Sequence, residues 1–209
     1  AMNAAEQVTA KATGPESLSA ESRATAARLA ESYRVSPLDM VPNPSPLLVE
    51  STEEVAVPTP NGLFGLRAWR FADGAEHLSA RALDRDGNPV PYEGGGVPAV
   101  RIHSECATGD IFGSFRCDCG PQLENGLRII GRTGGYLVYV RNHEGRGIGL
   151  VNKLRAYALQ DAGLDTLDAN LALGLDGDMR DYSQAALILQ ELGVHEMRLV
   201  TNNPAKQEA

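Results

Sequence analysis

The three cysteines of this chain, Cys106, Cys117 and Cys119, fall within 14 residues in a C-x10-C-x-C arrangement. Thiolates are soft, strongly donating ligands, and Zn²⁺ is their usual intracellular partner. Two cysteines at i and i+2 on an extended chain project to the same side and can chelate one ion. The third cysteine reaches the ion from the preceding loop. The spacing therefore predicts a zinc site.

The number of ligands decides what such a site does. A structural zinc is normally closed by four protein ligands, whereas three leave a position for a water whose pKa the metal lowers to about 7. The sequence offers three thiolates, and His103 is the one nearby residue that could close the site or orient water or substrate. Three inert buried thiols and a closed Cys/His site are the alternatives. We favour an open, catalytic zinc.

A glycine-rich segment, residues 142–149 (NHEGRGIG), follows a buried strand pattern and precedes a helical one. Its three glycines permit a tight turn with exposed N–H groups at a helix N-terminus, which favours an anion. Arg146 and Lys153 add positive charge beside this turn. The alternative is that the glycines serve tight packing alone. The segment matches neither the P-loop pattern nor G-x-G-x-x-G.

Two further polar segments have the composition of functional loops. Residues 176–181 (DGDMRD) place carboxylates beside Arg180 just before a predicted helix, where they could cap the helix or act as a base beside a phosphate-binding cation. Residues 201–206 (TNNPAK) form a polar turn that could offer a hydroxyl and an ammonium group to phosphates.

The elements that must position these residues form an α+β pattern, with antiparallel strands first and mixed helices and strands second. Residues 1–13 are predicted to be a disordered arm, and the proline-rich residues 35–47 an extended linker. Apolar periodicity predicts helices over 15–33, 122–130, 148–162 and 183–192, and strands over 55–57, 63–71, 77–83, 97–103, 135–141 and 197–201.

The composition of the 209 residues excludes several classes of protein. With 43% hydrophobic and 22% charged residues the chain can bury a core, and it has neither a membrane-spanning run nor a secretory signal. The net charge of −8 discourages binding to nucleic acid or anionic membrane. Residues 101–155 nevertheless hold 8 basic against 5 acidic side chains, which indicates a local anionic ligand. We expect a soluble cytoplasmic protein with reduced thiols.

Taken together, these segments resemble the GTP cyclohydrolase II family, which opens guanine in the first committed step of riboflavin synthesis. The resemblance lies in RIHSECATGDIFGSFRCDCGPQL (101–123), in residues 142–170, and in GDMRDY (177–182) with RLVTNNPAK (198–206). It covers roughly residues 55–206, so we expect a catalytic domain over residues 51–209, after an N-terminal arm, helix and linker over residues 1–50. The extension suggests a specialised paralogue.

The resemblance implies a role for each matching residue. Cys106, Cys117 and Cys119 would hold the catalytic zinc. Asp178 would be the proton acceptor, Arg180 the nucleophile toward the α-phosphate or an electrostatic clamp, and Tyr157 would assist ring hydrolysis. The residues expected to bind the nucleotide are Arg101, Ile102, His103, Ser104, Glu105, Gln122, Glu144, Gly145, Arg146, Thr166, Thr201 and Lys206.

The implied reaction is attack of zinc-activated water on C8 of guanine, with release of formate and, from the triphosphate, of pyrophosphate. Mg²⁺ would accompany the triphosphate, and the family is homodimeric. The alternatives are a paralogue that stops at the formamidopyrimidine nucleotide and a zinc-stabilised nucleotide-binding protein without turnover.

Overall fold

The computed structural model describes residues 19–33, 45–94, 96–175 and 178–201. Within them the helices are α1 Ala20–Ser32, α2 Ala107–Asp110, α3 Cys119–Thr133, α4 Glu144–Gly147, α5 Leu150–Asp161, α6 Thr166–Ala172 and α7 Ser183–Glu191. The strands are β1 Leu48–Ser51, β2 Val55–Thr59, β3 Gly62–Phe71, β4 Glu76–Leu83, β5 Ala99–Ser104, β6 Gly135–Val140 and β7 Arg198–Leu199. The predicted α+β fold is confirmed.

The described elements form two compact units. One contains α1, α5 and α6, and the other contains the strands together with α2, α3, α4 and α7. The strands of the second unit make one sheet in the order β1-β3-β4-β6-β5-β7, with β2 also paired to β3. Strands β1 to β4 and β6 pair antiparallel, whereas β5 runs parallel to β6 and to β7.

The sheet separates two hydrophobic clusters because successive side chains of a strand point to opposite faces. On one face Val100 and Val138 pack with Ile188 of α7, and on the other Ala99 and Leu137 pack with Ile130 of α3. The same alternation along β5 places Arg101 and His103 on the α3 face and Ser104 on the α7 face. Strand β5 therefore presents polar groups to both faces near its carboxyl end.

The helical unit is built from short helices with distinct start signals. Ser19 caps α1 by accepting a hydrogen bond from the Ser22 N–H, and Asp165 caps α6 through the Asp168 N–H at 2.7 Å. Leu159 of α5 and Ala169 of α6 are fully buried. None of the described helices combines the length and apolarity that crossing a membrane requires.

The predicted elements differ from the observed ones mainly at their ends. Helix α3 begins at Cys119, three residues before the predicted start, and the last strand is limited to Arg198–Leu199. Strand β1 and the short helices α2, α4 and α6 were missed, although the capping residue Asp165 was a signal for α6. The predicted arm, the first residues of the predicted N-terminal helix and most of the linker lie outside the described residues.

Candidate metal and nucleotide site

The three cysteines converge in the sheet-containing unit. Cys106 lies just beyond β5, Cys117 lies in the loop between α2 and α3, and Cys119 is the first residue of α3. Their sulfur atoms all lie within 4.8 Å of one another, and the Cys106 and Cys117 sulfurs are 3.6 Å apart. The assumption that Cys117 and Cys119 lie on extended chain is wrong, because α3 starts at Cys119. Both sulfurs nevertheless lie close to that of Cys106.

Gly109 makes room for this cluster. A β-carbon at this position would lie 2.8 Å from Cβ of Cys119, 2.9 Å from Sγ of Cys117 and 3.2 Å from Sγ of Cys106. These distances are shorter than van der Waals contact, so any side chain here would push the thiols apart. Gly109 could not be identified from the sequence, since the glycine acquires its role only when the loop packs on α3.

The crowded thiols favour a cation. Burial raises the pKa of Cys117, and a hydrogen bond shared with Cys106, together with burial, raises the pKa of Cys119. Three thiolates side by side repel one another, and a soft divalent cation bound between them would compensate their negative charges. Among the described residues, no other histidine, cysteine or carboxylate brings a ligand atom into this group. The donor set therefore fits a three-thiolate zinc site, and a site closed by His103 is not supported.

Asp110, which the sequence analysis did not single out, fixes the loop behind the cysteines. Its carboxylate accepts hydrogen bonds from the Cys106 N–H at 3.0 Å, the Tyr139 hydroxyl at 2.8 Å and Nε2 of His103 at 3.1 Å. Burial opposes ionisation of Asp110, but the hydrogen bonds from His103 and Tyr139 lower its pKa overall. The ionised carboxylate thus ties the backbone of Cys106 to β5 and β6.

His103 keeps one ring nitrogen without a partner. The residue is 2% exposed, stacks on Tyr139 at a centroid distance of 5.5 Å, and commits Nε2 to Asp110. No hydrogen-bond partner for Nδ1 exists among the described residues. A buried polar atom without a partner is costly, so a ligand or water that pairs with Nδ1 would recover that energy.

Arg101 and Gln122 meet on the α3 face of the sheet. The Arg101 guanidinium donates to the Gln122 side-chain oxygen at 2.9 Å and to the Val200 carbonyl at 3.2 Å. Gln122 in turn donates to Asp118 at 2.6 Å. Burial lowers the pKa of Arg101, and Nε has no partner among the described residues. Two of the predicted nucleotide-binding residues are therefore held together, with one buried N–H group unused.

Two carboxylates join the glycine-rich segment to the cysteine loop. Glu144 accepts from the Ala107 N–H at 2.6 Å, and Glu105 accepts from the Asn142 N–H at 2.5 Å. Burial raises the pKa of Glu105, and the nearby charge of Glu144 adds to the effect. These bonds connect the residues after β5 with the residues after β6. The cysteine loop and the glycine-rich segment are therefore held against each other.

The glycine-rich segment is strained at Arg146. Gly145 and Arg146 both adopt left-handed backbone conformations, with φ of 60° and 66°. This conformation costs a non-glycine residue about 1–2 kcal/mol, and such strain is often found at functional sites. The Arg146 carbonyl accepts from the Met179 N–H at 2.8 Å, which anchors the segment that carries Arg180.

The family model for GTP cyclohydrolase II matches residues 50–209. The chain belongs to the GTP cyclohydrolase II family. It is 53% identical over 161 residues to the riboflavin biosynthesis protein RibBA of Rhodococcus jostii (strain RHA1), a match that covers 76% of this chain and 38% of that protein. Against RibBA of Mycobacterium tuberculosis (strain ATCC 25618 / H37Rv) the identity is 53% over 160 residues, 76% of this chain and 37% of that protein.

Membership of the GTP cyclohydrolase II family confirms the resemblance found in the sequence. The chain spans little more than a third of the length of these RibBA relatives. The assignment of individual site residues stays a prediction, as does the division of the chain at residue 50.

The residues that the GTP cyclohydrolase II resemblance assigns are distributed over both compact units. The sheet-containing unit holds the cysteines, Arg180 and most of the predicted nucleotide-binding residues, which are Arg101, Ile102, His103, Ser104, Glu105, Gln122, Glu144, Gly145, Arg146 and Thr201. Tyr157, Thr166 and Asp178 belong to the helical unit, where the Lys153 ammonium lies 5.7 Å from the Tyr157 ring. Lys206 lies outside the described residues.

Proposed function

We propose that this chain catalyses the zinc-dependent hydrolysis of GTP, opening the guanine imidazole ring at C8. The products are formate, pyrophosphate and 2,5-diamino-6-(5-phosphoribosylamino)pyrimidin-4(3H)-one. The observation that supports this proposal most strongly is the convergence of the Cys106, Cys117 and Cys119 sulfurs within 4.8 Å, with no fourth ligand atom in the group among the described residues. Membership of the GTP cyclohydrolase II family supports a purine nucleotide as the substrate class.

In this proposal the three cysteines hold the zinc. A zinc ion bound there supplies Lewis acidity and lowers the pKa of a water molecule to about 7, so that attack on C8 can proceed near neutral pH. Asp110 holds the Cys106 backbone in place, and Gly109 keeps the space between the thiols open. The protein thereby fixes the donor positions before the metal arrives.

The base and ribose would be bound by the polar end of β5 and its neighbours. Arg101 is buried and already fixed by Gln122, so it loses little side-chain entropy on binding a ligand. The ring nitrogen Nδ1 of His103 is buried and unpaired, and it would gain a hydrogen bond from the substrate or from an ordered water. The other proposed nucleotide-binding residues are Ile102, Ser104, Glu105, Glu144, Gly145, Thr166 and Thr201.

The triphosphate requires positive charge against the negative charge that develops as pyrophosphate leaves. Arg146, Arg180 and Lys206 are the proposed side chains, with Mg²⁺ as the accompanying cation. A guanidinium stays protonated near neutral pH, so the simpler role for Arg180 is an electrostatic clamp that binds the phosphates. Covalent attack on the α-phosphate is the alternative. Asp178 and Tyr157 are proposed as the proton acceptor and as an aid to ring hydrolysis.

The relatives' names point to riboflavin biosynthesis, and we propose that pathway for this chain. We also propose a homodimer and a catalytic domain over residues 51–209. Clustered thiols without a disulfide are typical of a reducing compartment, which makes the cytoplasm the proposed location.

The test is incubation of the purified protein with GTP and Mg²⁺, with formate, pyrophosphate and the pyrimidine absorbance followed in parallel and the product identified by mass spectrometry. We expect formate and pyrophosphate in equal amounts and the mass of the diamine. Pyrophosphate without formate would instead identify a paralogue that stops at the formamide. Absence of both products from a zinc-loaded protein would contradict the proposal. The remaining alternative would then be a nucleotide-binding protein without turnover.

A further inference from the structure

His143 has no role in the assignments above, yet it contacts Ser104, Asp181 and Tyr182 at the candidate site. The residue follows β6 and is 7% exposed. Its Nε2 lies 2.8 Å from the Asp181 carbonyl oxygen and its Nδ1 lies 3.1 Å from the Ser104 hydroxyl. Its ring meets the Tyr182 ring edge-on at a centroid distance of 5.1 Å. One histidine therefore contacts the end of β5 and the segment before α7.

The direction of these hydrogen bonds follows from their partners. A carbonyl oxygen only accepts, so Nε2 of His143 carries a proton and donates to Asp181. In the neutral imidazole Nδ1 then accepts, so the Ser104 hydroxyl donates to His143. The Ser104 oxygen can in turn accept from the Tyr182 hydroxyl at 3.4 Å. The bonds form one ordered chain, from Tyr182 through Ser104 and His143 to the Asp181 backbone.

This chain of bonds holds a segment that lacks regular secondary structure. Residues 179–182 precede α7, and Arg180 lies between two tethers. On one side the Met179 N–H donates to Arg146, and on the other His143 holds Asp181 and Tyr182. The Arg180 guanidinium lies 5.9 Å from the Tyr182 ring, so fixing that ring also limits where the cation can go.

We propose that His143 is a positioning residue, which holds segment 179–182 so that Arg180 meets the triphosphate in the orientation that pyrophosphate release requires. The inference rests on the proposed function of Arg180. A misplacement of about 1 Å can lower a rate about 100-fold, because the reacting groups must be aligned. Loss of the tether therefore lowers turnover more than it lowers nucleotide binding.

The test compares His143→Leu with His143→Gln. Leucine can make neither hydrogen bond, whereas glutamine has one donor for Asp181 and one acceptor for Ser104. In zinc-loaded His143→Leu we expect kcat for pyrophosphate release to fall about tenfold or more, with KM changed less than about threefold. In His143→Gln we expect at least partial rescue. His195→Leu, which removes an exposed histidine, is the matched control and should keep wild-type values.

A second measurement does not depend on turnover. Hydrogen exchange of the backbone amides of residues 179–183 should accelerate in His143→Leu and return toward the wild-type rate in His143→Gln. Unchanged exchange and unchanged kcat in His143→Leu would overturn the inference, as would equal impairment by leucine and glutamine. If the wild-type protein releases no pyrophosphate, the proposed function fails, while the exchange experiment still decides whether His143 tethers the segment.

Discussion

Two buried histidines on nearby strands of the sheet, His77 on β4 and His103 on β5, have different surroundings. His77 uses both ring nitrogens: Nδ1 accepts from the Arg141 N–H at 3.0 Å, and Nε2 donates to Gln184 at 2.7 Å. His103 uses Nε2 for Asp110, while its Nδ1 has no partner among the described residues. Both residues are at most 2% exposed, so solvent does not explain the difference.

We interpret this difference as one between a structural cluster around His77 and a functional cluster around His103. Gln184 completes the cluster around His77 by donating to Asp73 at 2.8 Å and to the Ser45 carbonyl at 2.7 Å. A buried polar network with every member paired stabilises a fold and has nothing left to offer a ligand. The cluster around His103 adjoins the cysteines and keeps one polar atom unpaired. Changes near His103 should therefore affect metal binding and chemistry, and changes near His77 should affect stability.

The largest effect is expected from Cys117→Ser, which removes one thiolate from the metal centre. A hydroxyl is a far weaker ligand for zinc than a thiolate, so formate production should fall by more than about 100-fold. Some pyrophosphate release should remain, because the proposed cations for that step are untouched. Formate and pyrophosphate assays measure both steps, with excess zinc as the control. Unchanged formate production would contradict the role of the cysteine.

Asp110→Asn should lower zinc affinity about 10–100-fold, the range measured for groups that orient metal ligands elsewhere. The Cys106 N–H and the Tyr139 hydroxyl both donate to Oδ2 of Asp110, whereas Nε2 of His103 lies 3.1 Å from Oδ1. The amide has only one accepting oxygen, so its NH₂ group would face at least one of these three partners. Competition with a chromogenic chelator measures the affinity. Asp86→Asn, which removes an exposed carboxylate from a turn, is the matched control. Equal zinc affinities of the two variants would show that Asp110 does not contribute to zinc binding.

Gln184→Leu should affect stability alone. It removes the partner of Nε2 of His77 and of the Ser45 carbonyl, and one of the hydrogen bonds to Asp73. The expected cost is about 1–3 kcal/mol in the free energy of unfolding. Denaturant titration of the zinc-loaded protein measures this cost, and the zinc content should stay at the wild-type level. Gln190→Leu, on the exposed side of the same helix, is the control. Loss of zinc from Gln184→Leu would show that the cluster around His77 also supports metal binding, which contradicts the distinction from the cluster around His103.

The smallest effect concerns pH. Burial lowers the pKa of His77 from its usual value of 6.5, so the unfolded chain binds this proton more readily than the folded chain does. The stabilising contribution of neutral His77 is complete above pH 6.5 and declines as the pH falls from there toward the folded-state pKa. Unfolding free energies measured between pH 5 and 7 should therefore depend less on pH in His77→Gln than in the wild type. An identical slope would show that His77 is not the group responsible.

The sequence allowed the cluster of three cysteines to be predicted because it is encoded in residue type and close spacing. The strands that lead to them were also predictable, since alternation and β-branched residues are local signals. Gly109, Asp110 and His143 were not predictable, because their roles depend on contacts that residue type does not reveal. Asp110, for example, pairs with Tyr139, 29 positions away, and His143 with Ser104, 39 positions away. Such pairings exist only after the strands have assembled.

Stepwise return of zinc to the metal-free protein tests the central claim most directly. A chelator removes the metal, and zinc is then added in increments while formate release from GTP and bound zinc are measured on the same samples. We predict that formate release rises in proportion to bound zinc and stops rising at about one zinc per chain, as a single three-thiolate site requires. Formate release at the full rate before zinc is added, or zinc uptake without any gain in formate release, would contradict the account.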